Sequence, residues 1–158
     1  MRSVALSRAM ALLFVVFLLS GCGRLIADYS LDAYKNATSL KAEALAMVGK
    51  STEPYAKHAK DVDALNVKID AAYEFANGIP ENQLSAQQWA IIKDPDRHLY
   101  GGYIKFWKAH GPVSAFFREG AKKNIGAAFD EIICLEVNKQ SLTSCPAAVA
   151  AAAPSGNS

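Results

Sequence analysis

Apolar residues recur at steps of three and four along most of this chain, and that period constrains the fold more than any motif does. Tyr55, His58, Val62, Leu65, Ile69, Ala72 and Ala76 keep it without a break, which places them on one stripe of an α-helix. Ser51, Thr52, Glu53 and Pro54 precede the stripe as start signals, and Asn77, Gly78 and Pro80 follow it as stop signals. An earlier stripe runs through Ile26, Tyr29, Ala33, Ala37, Leu40, Ala44 and Met47, with Gly49 as its natural stop. Two stripes joined by a short turn describe an antiparallel helical hairpin. No window alternates at period two for long enough to argue a sheet.

The second half is more aromatic and less regular. Ser85 is placed to cap a helix through Trp89, Ile91 and Ile92 that ends at Asp94 and Pro95, because proline disfavours helical geometry in the residue before it. Residues 94–102 read as a loop with Gly101 and Gly102 as turn glycines. Tyr103, Ile104, Phe106 and Trp107 then fit a short helix stopped at Gly111 and Pro112. From Val113 the set Phe117, Ala121, Ile125, Ala128, Ile132 and Leu135 marks a last long helix. Gly120 and Gly126 lie inside it, each costing about 1 kcal/mol relative to alanine, so a kink or a close helix contact is expected there. The sum is an all-α bundle of four or five helices, mostly antiparallel.

The chain begins differently. Arg2 and Arg8 flank its start, Met10 to Leu19 are uninterrupted apolar residues, and Leu19, Ser20, Gly21 and Cys22 close the run. Ten apolar residues reach about 15 Å as a helix, half of a bilayer's roughly 30 Å hydrocarbon core, and cannot span it. The tetrad resembles the lipobox of bacterial lipoproteins. That resemblance implies a signal peptide over residues 1–21, cleavage before Cys22 and acylation of its thiol, so that the mature protein is anchored in a bilayer without crossing it. Gly23, where an Asp favours inner-membrane retention in enteric lipoproteins, implies the inner leaflet of the outer membrane, facing the periplasm. The remaining sequence divides into a helical domain over residues 22–145 and a tail rich in Ala, Pro and Ser over residues 146–158, which is expected to be disordered.

Processing changes the charge and the cysteine count. The chain has 17 basic and 15 acidic residues, and Arg2 and Arg8 account for the whole excess. A neutral mature protein lacks the concentrated positive surface that phosphate binding needs, so nucleic acid is not an expected partner. With Cys22 lipidated, Cys134 and Cys145 remain as a pair in a compartment that permits disulfides. Closing the short loop between them would contribute on the order of 3 kcal/mol.

Chemistry is sparse. There is no phosphate loop, nucleophile elbow, zinc-protease helix, EF-hand or haem motif, and no cofactor, metal or catalytic residue is assigned. Asp94, Asp96, Arg97 and His98 form the one polar cluster, which leaves a small envelope hydrolase or metal-dependent enzyme using Asp94, Asp96 and His98 as the alternative reading. His58 on the second stripe reads as a packed histidine, and His110 as a favourable charge at a helix C-terminus. Trp89, Tyr100, Tyr103, Phe106, Trp107, Phe116 and Phe117 crowd into a short stretch. Aromatics of this kind build cores and also anchor interfaces, and Tyr100 and Tyr103 are expected to be the exposed pair, with Trp107 as a further partner-binding candidate. The expected function is that of a non-enzymatic envelope lipoprotein binding a protein partner close to the membrane, in an assembly, pilotin-like, inhibitor or immunity role.

Overall fold

A computed structural model describes residues 27–141 and Cys145, and among them there are five α-helices and no strand. We number them α1 (Leu31–Lys50), α2 (Ala59–Gly78), α3 (Gln83–Lys93), α4 (Tyr100–His110) and α5 (Ala115–Ser141), with a 3₁₀ turn at Tyr55–Lys57 before α2. The all-α bundle expected from the periodicity is what forms. The signal segment, Cys22 and the tail from residue 146 lie outside the described residues, as do Leu25 and Ile26. No described helix is long and apolar enough to cross a membrane.

Local sequence accounts for some of the helix ends. Ser30 caps α1, its Oγ accepting from the Ala33 amide at 3.2 Å. The helix therefore starts later than its apolar stripe suggested, and it runs through Gly49 to Lys50 instead of stopping there. Asn82, not Ser85, stands at the N-cap of α3, which carries Ser85 inside its first turn. Gly111 ends α4 with φ at 78°, a left-handed conformation that glycine adopts without a Cβ penalty.

Gly101 and Gly102 are helical, in the first turn of α4, and the loop expected over residues 94–102 is correspondingly shorter. Their reason is close packing rather than turning. A Cβ on Gly102 would lie 1.7 Å from the Arg97 carbonyl oxygen, and one on Gly101 2.2 Å from that of Lys93. Gly126 likewise lets α5 approach α1, with the Leu45 side chain 3.8 Å from where its Cβ would be, whereas Gly120 faces open space. Of the two outcomes expected at these glycines, Gly126 gives the close contact, and α5 is continuous through both.

α1, α2, α3 and α5 form a closed ring in which each packs on the next and α5 returns to α1. Ion pairs tie neighbours on the outside: Lys50 to Asp61 at 2.8 Å, Lys68 to Glu43 at 2.7 Å, Lys93 to Asp70 at 2.7 Å, and Lys41 to Asp130. Each contributes at most about 1 kcal/mol, so they choose neighbours more than they stabilise. The core inside the ring is apolar. Ala37, Leu40, Ala44, Val62, Leu65, Ile69, Trp89, Ile92, Ile125, Phe129 and Ile132 are all buried, and Trp89 meets Phe129 edge to face at 5.6 Å.

The bundle has two unlike poles. At one, the start of α1 meets the end of α2, the start of α3 and the end of α5, and the Ala27 amide donates to the Glu81 carbonyl. Here Glu136 and Lys139 form an ion pair at 2.7 Å with both side chains almost wholly buried. Ser85 Oγ donates to Glu136, Lys139 Nζ donates to Glu136 and to Asn82 Oδ1, and Asn82 Nδ2 donates to the Ala76 carbonyl. Cys134 and Cys145 are joined in a disulfide, with their Cα atoms 5.7 Å apart, as the cysteine pairing anticipated. At the other pole α4 lies across the end of the ring.

Candidate functional site

The far pole is built around α4, and its geometry reverses the expected sorting of the aromatics. Tyr100, Tyr103 and Trp107 are 1%, 4% and 0% exposed, on the face of α4 that closes the core. None of the three is available to a partner. Their polar atoms explain how they can be buried. The Trp107 indole N–H donates to the Glu53 carbonyl at 2.9 Å. The Tyr103 hydroxyl is hydrogen-bonded to Ser51 Oγ, which itself donates to the Val48 carbonyl. The Tyr100 hydroxyl has no hydrogen-bond partner among the described residues. Desolvation raises the pKa of both tyrosines, most strongly that of Tyr100. The Val113 amide donates to the Ser51 carbonyl at 2.8 Å, so the α1–α2 connection holds the α4–α5 connection in place.

The phenylalanines go outward instead. Phe116, in the first turn of α5, is 92% exposed, and Phe117 and Phe106 are also exposed. Phe106 lies 4.7 Å from Phe117 and stacks on His110 at 4.2 Å, while Phe117 stacks on buried Tyr103 at 6.1 Å. Phe117, and through it Phe106, is therefore braced against the core, while Phe116 projects into solvent. Between α4 and the first half of α5 they border a groove of about 1140 Å³. Ala109, Gly120 and Ala121 keep its walls low, and the Pro95 to His98 turn contributes to its lining. Three exposed rings gathered beside one recess point to a binding surface more than single exposed apolar residues do, which are ordinary.

The groove is charged at its edges. Asp96 is paired with Lys105 at 2.7 Å, and that hydrogen bond and charge hold its carboxyl below the usual range while raising the Lys105 ammonium. Glu119 is paired with Lys122 at 3.1 Å. Arg97 lies 3.7 Å from Asp94, outside the lining, and Lys123 contributes a further cation to it.

In the Asp94, Asp96 and His98 cluster the two aspartates make local structural contacts, and His98 lines the groove. Asp94 Oδ1 accepts from the Asp96 amide at 2.8 Å, forming an Asx turn at the end of α3, and Asp96 is held by Lys105. Among the described residues no three of His, Cys, Asp and Glu gather as a metal-holding group. His110 Nδ1 lies 2.9 Å from the Phe106 carbonyl at the end of α4, the C-terminal position expected of it. His58 packs against Trp107 at 5.8 Å with its Nε2 3.4 Å from Glu53, also as expected.

The exposure of one of these phenylalanines has a signal in the sequence. Phe116 and Phe117 are adjacent on a helix, so they lie about 100° apart and cannot both face one core stripe. Comparison of the chain with protein-family models, with curated proteins and with solved structures finds no match.

Proposed function

We propose that this chain is a non-enzymatic envelope lipoprotein, anchored through acylated Cys22, that captures a protein partner in the groove between α4 and α5. The observation that carries the reading is Phe116, almost fully exposed beside Phe106 and Phe117 on a braced framework. Keeping a large apolar ring in water forgoes roughly 2 kcal/mol of burial, and aromatic anchors set in a recess are the usual centre of a binding surface. The lipobox resemblance at Leu19 to Cys22 supports the anchor and the outer-membrane, periplasm-facing location.

The groove modifies the expectation of work close to the membrane. α1 leaves the chain's N-terminal side at one pole, and its 20 residues carry the chain about 30 Å to the other. The partner then meets the bundle on the side turned away from the anchor, as an assembly, pilotin-like or inhibitory role requires of an accessible surface.

A photo-crosslinking residue placed at Phe116 in the native envelope tests the reading, with the same residue at Val67 on the open face of α2 as the control. A discrete adduct at Phe116 that is absent at Val67 and lost with Phe106→Ser is expected. Equal labelling at both sites would refute a specific groove. For the anchor, labelled palmitate is expected on the native chain and not on Cys22→Ser.

A further inference from the structure

We infer that the groove receives an amphipathic helix with an apolar ridge and acidic flanks, contributed by the partner, an assignment that rests on the groove being the docking surface. Shape gives the first half. The groove lies between two helices, and its lining on α4 runs from Gly102 to His110, about 14 Å of helix, which is long enough for a helix presenting anchors at i, i+3 or i+4, and i+7. Gly120 lines the groove, and apart from the backbone of its own helix and its two chain neighbours nothing among the described residues lies within 4 Å of where its Cβ would be. A glycine that nothing in its own fold requires leaves room for an incoming backbone or side chain.

Charge gives the second half. The two carboxylates on the rim, Asp96 and Glu119, are both engaged by lysines. Of the cations on the same rim, Arg97 is engaged by Asp94 and Lys105 by Asp96, which leaves Lys123 without an ion pair among the described residues. The helix dipoles add to this. The negative end of α4 is covered by its own Lys108 and His110, whereas the positive end of α5 has no acidic residue in its first turn. The excess over the groove is therefore that of Lys123 and the N-terminal end of α5, weakly positive although the chain from Cys22 onward is formally neutral. An acidic flank complements it and a basic flank does not.

The probes are synthetic four-turn peptides with one leucine ridge: one flanked by glutamates, one by lysines, and the glutamate form broken by two central prolines. At low ionic strength the glutamate peptide is expected to bind at least ten-fold more tightly than either other peptide, with the charge preference falling toward unity by about 1 M salt. Lys123→Glu is expected to shrink the preference several-fold, and Phe116→Ser with Phe117→Ser to weaken the glutamate peptide ten-fold or more without changing helical circular dichroism. Equal binding of the glutamate and lysine peptides, a preference for lysine, equal binding of the proline-broken form, or no binding of any would each overturn the inference. If the Phe116 crosslink nevertheless persists in the envelope, the docking groove stands with an occupant of other chemistry. Loss of both results would remove the groove reading as well.

Discussion

Replacing Lys139 by Met isolates the buried ion pair at the pole that holds Ala27 and Cys145. The methionine keeps most of the volume of the lysine stem, so the change removes charge and three hydrogen bonds, two to Glu136 and one to Asn82. Glu136, only 1% exposed, keeps one donor, Ser85. A buried carboxylate stripped of its cation costs about 3 to 5 kcal/mol. At a urea m-value near 2 kcal/mol/M, that moves the unfolding midpoint down by about 2 M. Glu136→Gln in the same background removes the remaining charge while its amide oxygen can still accept from Ser85. The double variant is therefore expected to recover at least 2 kcal/mol of the loss, because a desolvated ion pair is worth little relative to a neutral replacement. Urea denaturation followed by helical circular dichroism, with the disulfide intact, gives all corners of the cycle. Additive losses, or a Lys139→Met cost below about 1 kcal/mol, would show that the pair is solvated and the argument from burial wrong.

Reducing the Cys134–Cys145 bond, which closes a separation of 11 residues, should cost about 3 kcal/mol; an unchanged denaturation midpoint after reduction would refute it. Gly102→Ala should destabilise by more than 3 kcal/mol because its Cβ would overlap the Arg97 carbonyl, while Gly120→Ala should stabilise by about 1 kcal/mol. Thermal melts of the two variants moving in the same direction would contradict the packing. Tyr100 and Tyr103 ionise less readily when folded than when unfolded, where the usual value is about 10. Above pH 10 the unfolded chain therefore loses protons that the folded chain retains, so stability falls as pH rises. Part of the phenolate absorbance of the six tyrosines should appear only as helicity is lost; complete titration with helicity intact would refute this.

The sequence made the ring helices legible where one stripe decides burial. Val62, Leu65, Ile69, Ala72 and Ala76 of α2 are all buried, as are Ala33, Ala37, Leu40, Ala44 and Met47 of α1. It was less legible where tertiary contact decides. Gly101 and Gly102 look like turn residues in isolation, and only the carbonyls of Lys93 and Arg97 pressing on them explain why they are helical. On α5 the stripe through Ile125 and Ile132 also includes Phe129 and Glu136. Both were missed, Glu136 because a carboxylate reads as a solvent residue until Lys139, Ser85 and Asn82 are seen around it. The tyrosines were misplaced for a related reason. A hydroxyl suggests a wet edge, but Ser51 supplies Tyr103 with a partner inside the core, and the plainer phenylalanines were left for the surface.

The antiparallel ring brings Ala27 and Cys145 to one pole, so the groove pole consists entirely of internal connections: the α1–α2 turn, the α3–α4 turn, and α4 with its link to α5. Under the proposed function, attachment and recognition fall at opposite poles of the bundle. A fusion partner or a surface tether can be joined beyond either end of the helical domain with the whole length of the bundle between it and Phe116. The same arrangement lets residues of the groove be changed without touching the Glu136–Lys139 pair or the Cys134–Cys145 bond at the opposite pole.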